Sequence, residues 1–184
     1  MDGPDLLTER TAALCREVAV FIRTESARFT EARVESKSLN NLVSYVDKGA
    51  EQRLVDGLSL LLPGAGFIAE EGTGTRGPGE NWIIDPLDGT TNFVHGVPCY
   101  CISVGLMRED EVVLGVVLEV TRDECFTAWK GGGAFLNNAP ISVRSRESTR
   151  PRNSSAPPMP PKVSKPRSRK ACRAPRPAAR AGPR

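Results

Sequence analysis

The chain has 184 residues, of which 25 are Lys or Arg and 22 are Asp or Glu, long enough for one domain with a real core. Its net charge of +3 averages two unlike segments: ten basic and no acidic residues follow Arg150, which leaves −7 on the first 150 residues and +10 on the rest. The positive total therefore gives no ground for a nucleic-acid-binding surface on the folded part.

Pro4 to Arg28 comes first in chain order. Leu7, Leu14, Val18 and Phe21 recur at helical spacing and predict a helix from about Asp5 to Arg28. A second helix is expected from about Val46 to Leu62, with Ser44 and Asp47 as its cap and acidic first turn, Ala50, Leu54, Leu58 and Leu61 as its stripe, and Pro63-Gly64 as its stop. Strand signals take over afterwards. Gly66–Glu70 and Asn81–Asp85 are short apolar runs that end in acids, with a glycine-rich loop between them. Tyr100–Met107, Glu111–Val120 and Glu124–Trp129 follow, separated by Glu109-Asp110 and Arg122-Asp123, which suit hairpin turns. Gly131–Gly133 and Asn137-Asn138 read as further turns, and Ile141–Val143 as a last short strand. Helices first and consecutive strands afterwards predict an α+β fold, two helices on a mainly antiparallel sheet.

The remainder predicts little order. Nine of the 15 prolines lie after position 150, where Met159, Val163, Cys172 and scattered Ala are the only apolar groups. Such a segment buries too little surface to offset its ordering entropy. The expected organisation is a domain over 1–149 and a disordered basic tail over 150–184. The tail has no aromatic residue for base stacking, so any nucleic-acid binding would be nonspecific and salt-sensitive. The odd set of five cysteines lacks metal-finger spacing, and Cys99 and Cys101 read as small hydrophobes in an apolar run. No amino-terminal signal pattern and no apolar run of about 18 residues is present, which predicts a cytoplasmic protein without membrane association.

The chemistry gathers where strands end. Glu70-Glu71 closes one strand, and Asp85-Pro86-Leu87-Asp88-Gly89-Thr90-Thr91 closes the next. If the two strands are neighbours, three or more carboxylates converge at one sheet edge and repel unless protonated or neutralised by cations. Oxygen donors without His or Cys favour Mg²⁺ or a similar hard ion. Pro86 turns the chain so that Asp85 and Asp88 face one point with the Leu87 carbonyl between them, and the Gly89–Thr91 amides suit a phosphate. Metals beside an anion cradle imply phosphoryl transfer to water. The competing reading is a helix cap surrounded by surface acids.

The run Trp82-Ile-Ile-Asp85-Pro86-Leu87-Asp88-Gly89-Thr90-Thr91-Asn92-Phe93-Val94-His95-Gly96 resembles the signature of the inositol monophosphatase family. Leu42-Val43-Ser44-x-x-Asp47, Phe67-Ile68-Ala69-Glu70-Glu71 and Gly131-Gly-Gly-Ala-Phe-Leu-Asn137 match the family's other pieces in order, so the resemblance covers about 6–149. It implies the amino-terminal part of that layered fold and a Mg²⁺-dependent phosphomonoesterase that hydrolyses inositol monophosphate, or a related small phosphorylated metabolite, by metal-activated water. By the same resemblance, Glu70, Asp85 and the Leu87 carbonyl hold one Mg²⁺, Asp85 and Asp88 a second, and Thr90 with Asp47 orients or deprotonates the water. Glu70 helps position that water, Gly89 and Thr90 hold the phosphate, and Lys37 is a weaker neighbour of the metals. Asp47 could instead only complete the Ser44 cap; Glu71 reads as an outer or exposed acid; His95 as a structural hydrogen-bonding group; Trp82 and Phe93 as packing. Phosphatases for bisphosphates share the Asp-Pro-Leu-Asp-Gly core, and the Thr91-Asn-Phe-x-His95-Gly96 continuation favours the monophosphatase branch. The family's second signature, Trp-Asp-x-Ala-Ala-Gly, is absent, because Ile83 follows Trp82 and Lys130 follows Trp129. That departure implies impaired activity and disfavours the family's homodimer in this chain. A non-catalytic interaction protein with an anion-binding basic tail is the alternative.

Overall fold

The computed structural model describes residues 3–32 and 39–143, without the side chains of 29–32 and 39–42. Two long helices come first, α1 (Pro4–Ala32) and α2 (Leu39–Leu61). Seven strands follow: β1 (Gly66–Ala69), β2 (Asn81–Asp88), β3 (Cys101–Arg108), β4 (Glu111–Glu119), β5 (Glu124–Trp129), β6 (Gly133–Leu136) and β7 (Ala139–Ile141). A short helix, α3 (Thr90–His95), leaves the end of β2. The strands form one sheet in chain order, with β1 and β2 parallel and every later pair antiparallel. The α+β layer expected from the sequence is the one observed.

Strand periodicity builds the core. Ile102, Val104 and Leu106 on β3 alternate with half-buried residues, and Leu114, Val116 and Leu118 on β4 repeat the pattern. These faces meet Val18, Ala19 and Ile22 of α1 and Val46, Ala50, Leu54 and Leu58 of α2 in one cluster. Leu14 and Phe21, read as core from their spacing, are only partly buried, and Cys15, Ala19 and Ile22 take the inner face of α1. Trp82 and Phe93 are packed as expected, with 0% and 2% exposure.

Several local expectations are revised. Helix α2 begins at Leu39, so Ser44 and Asp47 lie inside it and do not cap it. Val43 packs against the core, and that burial extends the helix beyond its apparent polar start. Strand β6 forms where a turn alone was expected, because Asn137 and Asn138 (φ 47° and 66°) make a tight hairpin between β6 and β7. Cys99 is exposed and precedes β3, so it is no core residue. The expected boundary at 149–150 and the tail beyond it lie outside the described residues. No helix among those described is long and apolar enough to cross a membrane.

The loop after β1 is held by its own backbone. The Phe67 amide donates to the Thr75 carbonyl at 2.9 Å, so the returning chain covers the outer edge of β1. A Cβ on Gly74 would lie 2.3 Å from the Cβ of Phe67, which is why this contact needs glycine.

The packing predicts a sharp contrast along α2. Leu54→Ala, at a position with 0% exposure, should lower unfolding stability by about 2–5 kcal/mol in a denaturant titration. Leu60→Ala, at 83% exposure, should change it by no more than about 0.5 kcal/mol.

Candidate active site

Parallel pairing of β1 and β2 sets Gly66–Ala69 beside Asn81–Ile84, so both strands end at the same edge of the sheet. Glu70 leaves the end of β1 there and Asp85 continues β2 there. Their carboxyls lie close enough for each to influence the other's ionisation. The negative charge of Asp85, then burial, raises the Glu70 pKa; burial, with Asp88 nearby, raises that of Asp85. Two carboxyls this close oppose each other's ionisation.

A bulge brings in the third carboxylate. In a regular strand, residues three apart point to opposite faces. The β2–β3 register slips between Asp85 (opposite Ser103) and Asp88 (opposite Cys101), so β2 spends one more residue than its partner. That extra residue turns Asp85 and Asp88 to the same side, and Pro86, which cannot donate to a ladder, sits within the irregular stretch. The Leu87 amide donates to Asp85 Oδ1 at 3.2 Å, and the Thr90 hydroxyl donates to the Leu87 carbonyl at 3.0 Å. The Cys101 thiol donates to Asp88 Oδ2 at 3.8 Å; burial and the Asp88 charge push that thiol up to about 11.

Asp47 faces the cluster from α2. It is 8% exposed, and burial together with the charges of Glu71, Glu70, Asp85 and Glu51 raises its pKa to about 7. A cavity of about 270 Å³ is lined by Val43, Ser44, Asp47, Glu71, Thr90, Thr91 and Val94. Asp47 and Thr90 therefore share one cavity, but the Thr90 hydroxyl proton is directed to Leu87 and not to Asp47. Glu71, read as an outer or exposed acid, is exposed and lines this cavity, and the Asp85 charge acts on Glu70. Gly89 precedes α3 at φ 93°, and a Cβ there would lie 3.0 Å from the Cys99 carbonyl oxygen, so only glycine fits this tight turn. His95 is exposed in the last turn of α3. Lys37 lies outside the described residues.

A larger cavity, about 670 Å³, opens at the opposite end of the sheet among Leu7, Leu61, Leu106 and Leu114. Its charged rim residues Arg108 and Lys130 are paired with Glu80 and Glu111, so it lacks the converging unneutralised groups of the carboxylate edge.

Among the described residues no group of three or more His, Cys, Asp and Glu side chains is arranged to hold a metal ion as it stands. The chemistry of the donor set nevertheless suits a hard dication: all candidate donors are oxygens, and burial together with neighbouring acids raises the pKa of Asp47, Glu70 and Asp85, with no basic side chain paired to them among the described residues. Glu70, Asp85, Asp88 and the Leu87 carbonyl are the oxygens that could supply such donors at this edge.

One participant escaped the sequence reading. Glu51, one turn after Asp47 on α2, is fully buried, and its oxygens accept the Glu71 and Thr73 amides at 2.8 and 2.9 Å. The signal was present: a carboxylate beside Ala50 and Leu54 on the apolar stripe.

A family model described as the inositol monophosphatase family matches residues 5–173, past the Thr149 where the resemblance was read to stop. The chain is 44% identical over 117 residues to an inositol-1-monophosphatase of Rhizobium meliloti, which covers 62% of this chain and 44% of that protein. It is 46% identical over 118 residues to inositol monophosphatase 3 of Solanum lycopersicum, covering 61% and 44%. A crystal structure of SaIMPase-II with inositol monophosphate bound superposes with a TM-score of 0.62 at 29% identity, over 76% of this chain and 50% of that one. The chain thus spans a little under half the length of the curated relatives it matches.

The Asp47 environment predicts a pH-dependent stability. Its folded pKa of about 7 lies above the ordinary 3.8, so the folded chain binds this proton more tightly than the unfolded chain. The penalty is complete above pH 7 and fades as the pH falls toward 4. In chelator, Asp47→Asn should stabilise the chain by roughly 2 kcal/mol at pH 8, with no gain near pH 4, in paired denaturant titrations.

Proposed function

Since the chain belongs to the inositol monophosphatase family, we propose that its carboxylate edge binds Mg²⁺ and serves hydrolysis of inositol monophosphate or a related small phosphate monoester. The observation that supports this most is the Glu70–Asp85 contact at the shared end of β1 and β2, directly before the Gly89–Thr90 turn. Two acids whose charges oppose each other meet there, and a divalent ion between them would offset both. Glu70, Asp85 and the Leu87 carbonyl would hold one ion, and Asp85 and Asp88 would hold a second. When bound, such ions supply positive charge that polarises a phosphoryl group and lowers the pKa of water.

The other steps fall to the chain's own groups. The backbone N–H groups of Gly89 and Thr90, in the tight turn before α3, would bind phosphate oxygens. The small cavity between α2 and α3 would seat the attacking water between Asp47 and Thr90. Asp47, which shares that cavity with Thr90, would accept the proton that the water gives up. The Thr90 hydroxyl, which donates to the Leu87 carbonyl, would hold its oxygen lone pairs toward that water and so orient it.

Metal titration of the chain and its variants tests the reading. Asp85→Asn should weaken Mg²⁺ binding by about tenfold or more, by the scale of lost metal-site interactions. Glu71→Gln should weaken it much less, and Mg²⁺-dependent phosphate release from inositol 1-phosphate should vanish with Asp85→Asn. Equal losses of affinity in the two variants would contradict the assignment of Glu70 and Asp85 as the ion's ligands.

A further inference from the structure

Glu51 is an expensive residue to bury. It has 0% exposure and, among the described residues, no Lys or Arg partner, and it lies close enough to Asp47 to add to the repulsion there. An unpaired buried carboxylate is ordinarily costly. What it receives in return is narrowly placed. Its Oε2 accepts the Glu71 amide at 2.8 Å, and its Oε1 accepts the Thr73 amide at 2.9 Å together with the Thr73 hydroxyl. All three donors belong to the turn that immediately follows Glu70.

That turn would otherwise be loosely held at its start. Glu70 itself is exposed and lies just past the last residue of β1. Residues 71–73 are exposed as well. Their amide hydrogen bonds run to a side chain of α2 and not to the sheet. Asp47 and Glu51 stand one helical turn apart on α2, so one rigid helix presents both an acid to the cavity and a clamp to the turn. The distance between Asp47 and the Glu70–Asp85 pair is thereby set by α2.

The geometry points to Glu51 as the positioning residue that holds the Glu70 carboxylate against Asp85, and so sets the affinity of the site for its divalent ion. The inference rests on the reading of Glu70 and Asp85 as ion ligands. A neutral amide in place of Glu51 turns an N–H₂ group toward an N–H donor, so Glu51→Gln frees at least one of the two turn amides.

The test pairs Mg²⁺ calorimetry with backbone amide exchange on the full chain. In Glu51→Gln, exchange at Glu71 and Thr73 should accelerate, and Mg²⁺ affinity should fall about 10–100-fold, the usual scale for a group behind a ligand. Thr73→Val removes only the hydroxyl contact at an exposed position, and should weaken Mg²⁺ binding about threefold, the scale of one hydrogen bond. Glu25→Gln, at a buried acid of α1 paired with Arg28, controls for general destabilisation and should leave Mg²⁺ affinity unchanged. Folded Glu51→Gln that binds Mg²⁺ as tightly as the parent, or a loss matched by Glu25→Gln, overturns the inference alone. If Glu51→Gln fails to fold, unchanged affinity in Thr73→Val overturns it. A parent chain that binds no Mg²⁺ overturns the functional reading, and the inference with it.

Discussion

The parallel pairing of β1 with β2 is the constraint on which the rest of the site depends. Antiparallel neighbours would send their ends to opposite edges of the sheet, and Glu70 would stand a strand's length from Asp85. Parallel neighbours end together. The pairing in turn depends on the return loop, which must travel back along β1 within a few residues. It does so by lying against the strand, with the Phe67 amide bonded to Thr75 and with glycine where the two backbones touch. Parallel strands usually need a longer crossover. The glycine-rich composition of this loop makes the short one possible.

Everything added to that edge increases its negative charge. The bulge in β2 turns Asp88 to the side of Asp85, α2 contributes Asp47, and Glu51 is buried behind them. No basic side chain among the described residues is paired with Asp47, Glu51, Glu70, Asp85 or Asp88. The raised pKa of Asp47 has burial as its first cause and four neighbouring acids as the others. A fold selected for stability alone would hardly assemble five acids in this way. The arrangement is intelligible if the edge is made to receive positive charge, and the tight turn at Gly89 beside it suits an anion that such charge would accompany.

Much of this was legible in the sequence because it is carried by local patterns. The period of the apolar residues placed both helices and five of the seven strands. The acids at the ends of two successive runs marked the edge, provided the runs were neighbours. The pairing direction itself was not legible, since Gly66–Ala69 and Asn81–Asp88 read alike in either sense. The common side of Asp85 and Asp88 was read from the turn expected at Pro86; what the sequence did not show is that a bulge in β2 produces it. Ser44 misled by chemistry: its hydroxyl suits a helix cap, but burial of Val43 carried α2 past it to Leu39. Glu51 was hidden by its residue type. Its role exists only once the turn after Glu70 folds back on α2, a contact between residues 20 and 22 positions apart.

The central claim is that this carboxylate edge is built to receive a divalent ion. Calorimetry of Mg²⁺ binding at pH 6.5, repeated in buffers of different ionisation enthalpy, tests it directly. An ion at this edge would offset the acids that help raise the Asp47 pKa to about 7, so binding at pH 6.5 should release a fraction of a proton per ion, and the release should decline toward zero as the pH is raised well past 7. Mg²⁺ that binds at pH 6.5 without releasing any proton would contradict the account.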